Sequence, residues 1–199
     1  MTAAFFLVRH AAHDNVGGFL AGRAPSIHLG PDGLAQAQRL ATRMARERFE
    51  AIYASPRERT QETAAAIAAA SGDMPISIAE ELDEVDFGAW SGSTFDQLNK
   101  LDEWQRWNSQ RSMAETPNGE TMIDVQRRSI GLVRQLARQN ADGRFVLVSH
   151  ADIIKSIVSH ILGLPIDAWP RLEISPASIT TIVVGQWGSK VLTLNETTP

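Results

Sequence analysis

Ala4-Phe5-Phe6-Leu7-Val8-Arg9-His10 sets five apolar residues in a row and stops them with two strongly polar ones. An unbroken apolar run of this length fits a strand buried on both faces, as central parallel strands are. The pattern recurs at Phe145-Val146-Leu147-Val148, followed directly by Ser149-His150. A shorter run, Ala51-Ile52-Tyr53-Ala54, leads into Ser55 through Arg59, and Ile76-Ser77-Ile78 predicts a further short strand.

Helical periodicity fills the intervals. From Pro31 to Arg48, Leu34, Ala37, Leu40, Ala41 and Met44 recur on one face, with Pro31 suited to a first turn. A second helix is expected from Ser55 as cap, with Pro56 first and Glu58 completing a capping box, running to Ser71-Gly72. Further helices are predicted within Thr94–Asn108 and over about Thr121–Gln139. Another follows His150, with Ile153, Ile154, Ile157, Val158, Ile161 and Leu162 inward and Gly163 ending it. Ile179–Val184 and Val191–Leu194, joined through Gln186–Ser189, predict a hairpin on the sheet edge. The alternation implies an α/β fold, a three-layer α/β/α sandwich with a mostly parallel central sheet and an antiparallel edge. One domain spans residues 1–199, with 88–119 as a substrate-side insertion.

Composition narrows the function. The 199 residues are 43% hydrophobic and 21% charged, which is a globular balance. A net charge of −4 without a basic run argues against nucleic acid or an anionic membrane as partner. The absence of cysteine excludes thiol nucleophiles, disulfides and thiolate-held metals. The apolar start is too short for a signal peptide or a membrane span, so a cytoplasmic enzyme is the expectation.

If the three apolar strands are parallel, Arg9-His10, Ser55–Arg59 and Ser149-His150 meet at the carboxyl edge of one sheet, where open α/β sheets bind ligands. Two arginines and two helix starts at that edge favour a multiply charged anion, and a phosphoryl group uses such donors best. A histidine beside it can act as nucleophile, and neighbouring positive charge keeps its imidazole neutral.

These residues resemble the histidine phosphatase superfamily, also called the phosphoglycerate mutase-like family. Arg9-His10-Ala11 stands for the family's Arg-His-Gly, and Ser55-Pro56-Arg57-Glu58-Arg59-Thr60-Gln61-Glu62-Thr63-Ala64 for its second motif. Leu82-Asp83-Glu84 precedes Gly88-Ala89-Trp90-Ser91-Gly92. Gly119-Glu120 is followed by Arg127, and Ser149-His150-Ala151 closes the order. The resemblance implies a phosphohistidine on His10, with Arg9, Arg59 and His150 holding the transferring oxygens. Glu84 serves as proton donor and then base, and Asp83 and Asp86 are rivals for that role. It also places Asn15, Arg23 and Ala151 on the substrate side. Ala11 and Ala151 stand where the family has glycine, and a methyl there threatens to crowd the phosphate.

The implied activity is that of a phosphatase for small phosphate monoesters, needing no metal and no cofactor; oligomeric state is open, a homodimer included. Three alternatives stand beside it: mutase-type transfer, a silent phospho-ligand binding module, and a metal site at His10, His13 and Asp14. His28 and His160 read as surface residues and Trp104 and Trp107 as packing. Arg57, Arg106 and Arg111 read as solvated.

Overall fold

Along strand β1 (Thr2–Arg9), Phe5 and Leu7 belong to one hydrophobic cluster and Phe6 and Val8 to another. The chain is described by a computed structural model over residues 1–14 and 17–198. After β1 come α1 (Pro31–Met44), β2 (Ala51–Ala54), α2 (Glu58–Ala70) and β3 (Ile76–Ile78). Two short helices follow, α3 (Phe95–Leu98) and α4 (Asp102–Ser109), then α5 (Met122–Gln139), β4 (Arg144–Ser149) and α6 (Ala151–Leu162). The hairpin β5 (Ile179–Gly185) and β6 (Gly188–Glu196) completes the order.

The six strands form one sheet in the order β3-β2-β4-β1-β5-β6. β1 to β4 are mutually parallel, while β5 runs antiparallel to β1 and β6 antiparallel to β5. One face of the sheet packs through Phe6, Val8, Ile52, Val146 and Val148 against Ala37, Leu40 and Met44 of α1 and Ala64 and Ile67 of α2. The other packs through Phe5, Leu7 and Leu147 against Val125 and Val133 of α5 and Ile153 and Ile157 of α6. That is the expected three-layer sandwich. Val148 pairs with both Val8 and Ala54, so the three strands end level and release their polar successors at one edge.

Several boundaries differ from expectation. α1 ends at Met44 rather than Arg48, where the chain tightens into turns carried by Arg46 N to Arg43 O and Glu47 N to Met44 O. Leu34 faces solvent, because the inward place in that turn belongs to Gly33. A Cβ on Gly33 would stand 1.7 Å from the Ala12 carbonyl oxygen, so only glycine lets the helix approach so closely. Leu162 is exposed in the last turn of α6, which Gly163 ends in the left-handed conformation at φ 66°. Ser55 does not cap α2. The helix begins at Glu58 with Arg57 as an N-cap lacking a side-chain bond, and Ser55 turns into the site instead. The expected helix within Thr94–Asn108 is two helices, the first closed by a Thr94–Gln97 capping box. Trp90, Trp104 and Trp107 pack edge to face in this segment and are buried. No described helix is long and apolar enough to cross a membrane.

Candidate active site

His10 follows directly from β1 and is 4% exposed. Its Nδ1 lies 2.8 Å from the Ala11 carbonyl oxygen, which can only accept, so the ring proton sits on Nδ1. Nε2 is thereby left unprotonated, its lone pair accepting a long hydrogen bond from Arg59 Nε at 3.4 Å. Burial, then the charges of Arg59 and Arg9, hold the His10 pKa well below the usual imidazole value. The ring is therefore neutral and oriented, as a nucleophile must be.

Arg59 reaches the same point from the first turn of α2 and is almost wholly buried. Its Nη2 donates to the Gly22 carbonyl at 2.8 Å and to His150 Nδ1 at 3.2 Å. Arg9 is anchored by Nη1 to the Ile174 carbonyl at 2.6 Å. Among the described residues, Arg59 Nη1 and Arg9 Nε are buried without hydrogen-bond partners. Unpaired buried donors of this kind are costly, and an anion in the cleft between them would satisfy both.

His150 caps α6 in extended conformation and is fully buried. Because Nδ1 accepts from Arg59, Nε2 carries the proton and donates it to Ser55 Oγ at 2.8 Å. Ser55 in turn donates to Asp83 Oδ1 at 3.2 Å. This relay, the true role of Ser55, fixes the second histidine. Burial and Arg59 push the His150 pKa well down.

Of the three acids near residue 84, Glu84 lines the cleft. Its Oε2 lies 3.5 Å from His150 Nδ1 and 4.0 Å from Arg59 Nη2. Burial first, and the charge of Asp152 second, raise its pKa from 4.5 to about 7. Asp83 is instead engaged by Ser55, Arg57 and Arg23, and Asp86 accepts from the Gly88 N–H. The loop carrying Glu84 is pinned from α5. Arg128 donates to the carbonyls of Glu81 at 2.7 Å and Glu84 at 3.2 Å and pairs with Glu120 at 2.9 Å. Arg127, the residue matched to the family's motif order, is exposed and pairs with Asp124 instead. Helix phase explains the difference: 128 lies one turn from buried Val125 and Leu132, whereas 127 points away.

The cleft holds about 240 Å³ and is bounded by Arg9, His10, Arg59, Glu84, Ala151 and Asp152, with Phe19, Leu20, Phe87 and Phe95 as apolar wall. A larger groove, about 600 Å³, opens near Met1 and Gly185 at the other end of β1, but neither histidine nor Glu84 faces it.

Other expected residues fare differently. Arg23 does not line the cleft. Its guanidinium is held among the Glu84 carbonyl at 2.8 Å, Asp83 at 3.2 Å and Glu120 at 2.8 Å, so it braces the acid loop. Asn15 lies outside the described residues. Ala151 borders the cleft at the start of α6, while Ala11 sits in the core beneath it, so its methyl packs inward and its N–H donates to Thr63 Oγ1. Arg57 is not solvated but pairs with Asp83 at 3.0 Å. Arg111 is likewise buried, lying 3.7 Å over the Trp169 ring and 2.9 Å from Asp152. His13 borders the cleft, its ring 6.0 Å from that of His10. The Asp14 carboxylate is turned onto Gly30, and no three His, Asp or Glu side chains converge as a metal ligand set among the described residues.

Known proteins of similar sequence and fold identify the family. Residues 5–197 match the family described as the histidine phosphatase superfamily, branch 1. Phosphoserine phosphatase 1 of Hydrogenobacter thermophilus is 28% identical over 195 residues, covering 96% of this chain and 91% of that protein. Glucosyl-3-phosphoglycerate phosphatase of Mycolicibacterium vanbaalenii is 31% identical over 176 residues, covering 83% and 77% respectively. The solved structure of Bacillus stearothermophilus YhfR superposes with a TM-score of 0.91 at 25% identity, covering 98% of this chain and 97% of that one. The chain therefore belongs to the histidine phosphatase superfamily, branch 1, and is a phosphatase of phosphate monoesters that works through a phosphohistidine.

Proposed function

We propose that His10 Nε2 attacks the phosphorus of a small phosphate monoester while Glu84, protonated, gives its proton to the departing ester oxygen. The P–O bond to the alcohol breaks as the P–N bond to His10 forms. Arg9 and Arg59 hold the phosphoryl oxygens, and the helix start at Ala151 adds the positive end of its dipole. His150 joins them once the bound phosphate's charge favours its protonated form. In the second half the Glu84 carboxylate takes a proton from water, the water oxygen attacks phosphorus, and inorganic phosphate leaves with His10 restored. Residues 88–119 supply the substrate-side wall through Phe95, and water is the usual acceptor.

The observation that carries this reading is the setting of the His10 ring: Nδ1 lies against the Ala11 carbonyl, which assigns the proton there, and the unprotonated Nε2 faces Arg59. Its test is His10→Ala. Wild type incubated with a ³²P-labelled monoester should acquire acid-labile, base-stable label, and the variant should show neither label nor turnover. Substantial labelling in the variant would remove His10 from the role. Retention of His10, Arg9, Arg59, Glu84 and His150 in bonded register favours turnover over silent binding.

A further inference from the structure

Beyond the phosphoryl-binding end of the cleft, the arrangement of charge is lopsided. Arg9 and Arg59 face the reacting centre, and the other cations nearby are engaged elsewhere. Arg23 and Arg57 are held by Asp83, and Arg128 by Glu120. Lys155 lies over the Trp169 ring at 5.0 Å and, like Arg111, lines a small cavity next to the cleft rather than the cleft itself. Residues 15 and 16, asparagine and valine, add no charge. Asp152 is different. It borders both the cleft and that small cavity, and its Oδ1 forms an ion pair with Arg111 Nη1 at 2.9 Å. Arg111 is itself 4% exposed and stacked on Trp169, so it cannot swing round to meet a substrate. Besides Glu84, which meets it as the proton donor, the leaving group is thus offered apolar rings, neutral His13 and one further carboxylate, Asp152.

We propose that Asp152, locked in place by the buried Arg111, is a specificity-determining residue that turns this phosphatase away from esters whose alcohol carries a carboxylate and toward neutral or cationic alcohols. The inference rests on the phosphatase reading and refines its substrate class. A substrate carboxylate in the cleft meets Asp152 at closer range than the Arg111 charge paired with it, so the repulsion is only partly offset, and what remains is worth about tenfold in rate. The named relatives act on phosphoserine and glucosyl-3-phosphoglycerate, so the expectation departs from theirs.

A matched series separates charge from shape: phenyl phosphate, 4-carboxyphenyl phosphate and 4-(aminomethyl)phenyl phosphate, compared by kcat/KM. Wild type should prefer phenyl over carboxyphenyl by about tenfold and should favour the aminomethyl ester. Added salt should narrow both ratios in wild type, a readout that needs no variant. Asp152→Asn should bring the phenyl-to-carboxyphenyl ratio to within about threefold, and Asp152→Glu should preserve the discrimination. Using the ratio cancels any effect of residue 152 on Glu84 common to all three esters. Equal use of the neutral and carboxylate esters by wild type, or a ratio unchanged in Asp152→Asn, would overturn the assignment. If wild type failed even on phenyl phosphate and on p-nitrophenyl phosphate, the phosphatase reading itself would fall and this inference with it.

Discussion

Replacing Glu84 by Gln should slow the enzyme and stabilise the fold, and the second effect should depend on pH in a stated direction. The Glu84 carboxyl titrates at about 7 in the folded chain against an ordinary 4.5. A gap of that size, at about 1.4 kcal/mol per pH unit, amounts to about 3 kcal/mol. Between those two values the native state keeps the proton while the unfolded chain has released it. Wild-type stability therefore falls as pH rises from 4.5 and levels off above 7, where the buried charge is fully formed. Gln cannot ionise, so the variant escapes the decline. Urea unfolding at about pH 4.5 and about pH 8 measures the effect: relative to wild type, the variant should gain up to about 3 kcal/mol between the two conditions. Turnover of an alkyl monoester should meanwhile drop about 10²–10⁴-fold, with p-nitrophenyl phosphate less affected because its leaving group needs little protonation. An equal stability difference at the two pH values would refute the desolvated seat assigned to this carboxyl.

Arg59→Lys keeps a charge but loses the fork that bridges both histidines, and kcat/KM should fall about 10²-fold or more for every ester, activated ones included; a change within a few-fold would mean that charge alone suffices. Arg128→Ala should lower thermal stability by about 2 kcal/mol and reduce kcat by loosening the Glu84 loop, whereas Arg127→Ala should stay within about 0.5 kcal/mol of wild type, and the reverse ranking would contradict the helix phase described. Turnover should survive excess chelator and be inhibited by vanadate, because two arginines and a helix start already meet the phosphate charge; loss in chelator restored by zinc would point instead to His10 and His13 as ligands.

The sheet and its active edge are legible in the sequence for a specific reason. Phe5 through Val8 and Phe145 through Val148 are buried on both faces, so their apolar runs are unbroken; in the shorter β2 Ile52 and Ala54 are buried with Tyr53 half-buried between them, and each run ends at the residues that do the chemistry. Charged side chains are harder to place. Arg57 and Arg111 have no nearby sequence partner and read as solvated, yet Asp83 and Asp152, distant in sequence, draw them inward. Arg23 reads as a substrate residue because its position matches one, while three acids brought from 83, 86 and 120 claim its donors. Ser55 carries every mark of a helix cap, and the competing bond to His150 takes it elsewhere. In each case the missing information is a contact between distant segments. Helix phase alone, applied to α5, would have separated Arg128 from Arg127.

The strand order has a consequence for how the molecule comes into being. β4 lies between β1 and β2, yet it is made long after both. About 90 residues separate Ala54 from Arg144, and a ribosome adding about 5–20 residues per second needs several to nearly twenty seconds to supply them. Throughout that interval the inner edges of β1 and β2 have no partner, and the part of the sheet that α6 covers stays open. His10 and Arg59 cannot be brought into register with His150, since the strand that delivers His150 is also the one that joins the two halves. Catalytic competence and closure of the sheet therefore arrive in a single late event, and a nascent chain stalled before Arg144 would carry sticky strand edges with no activity to show for them.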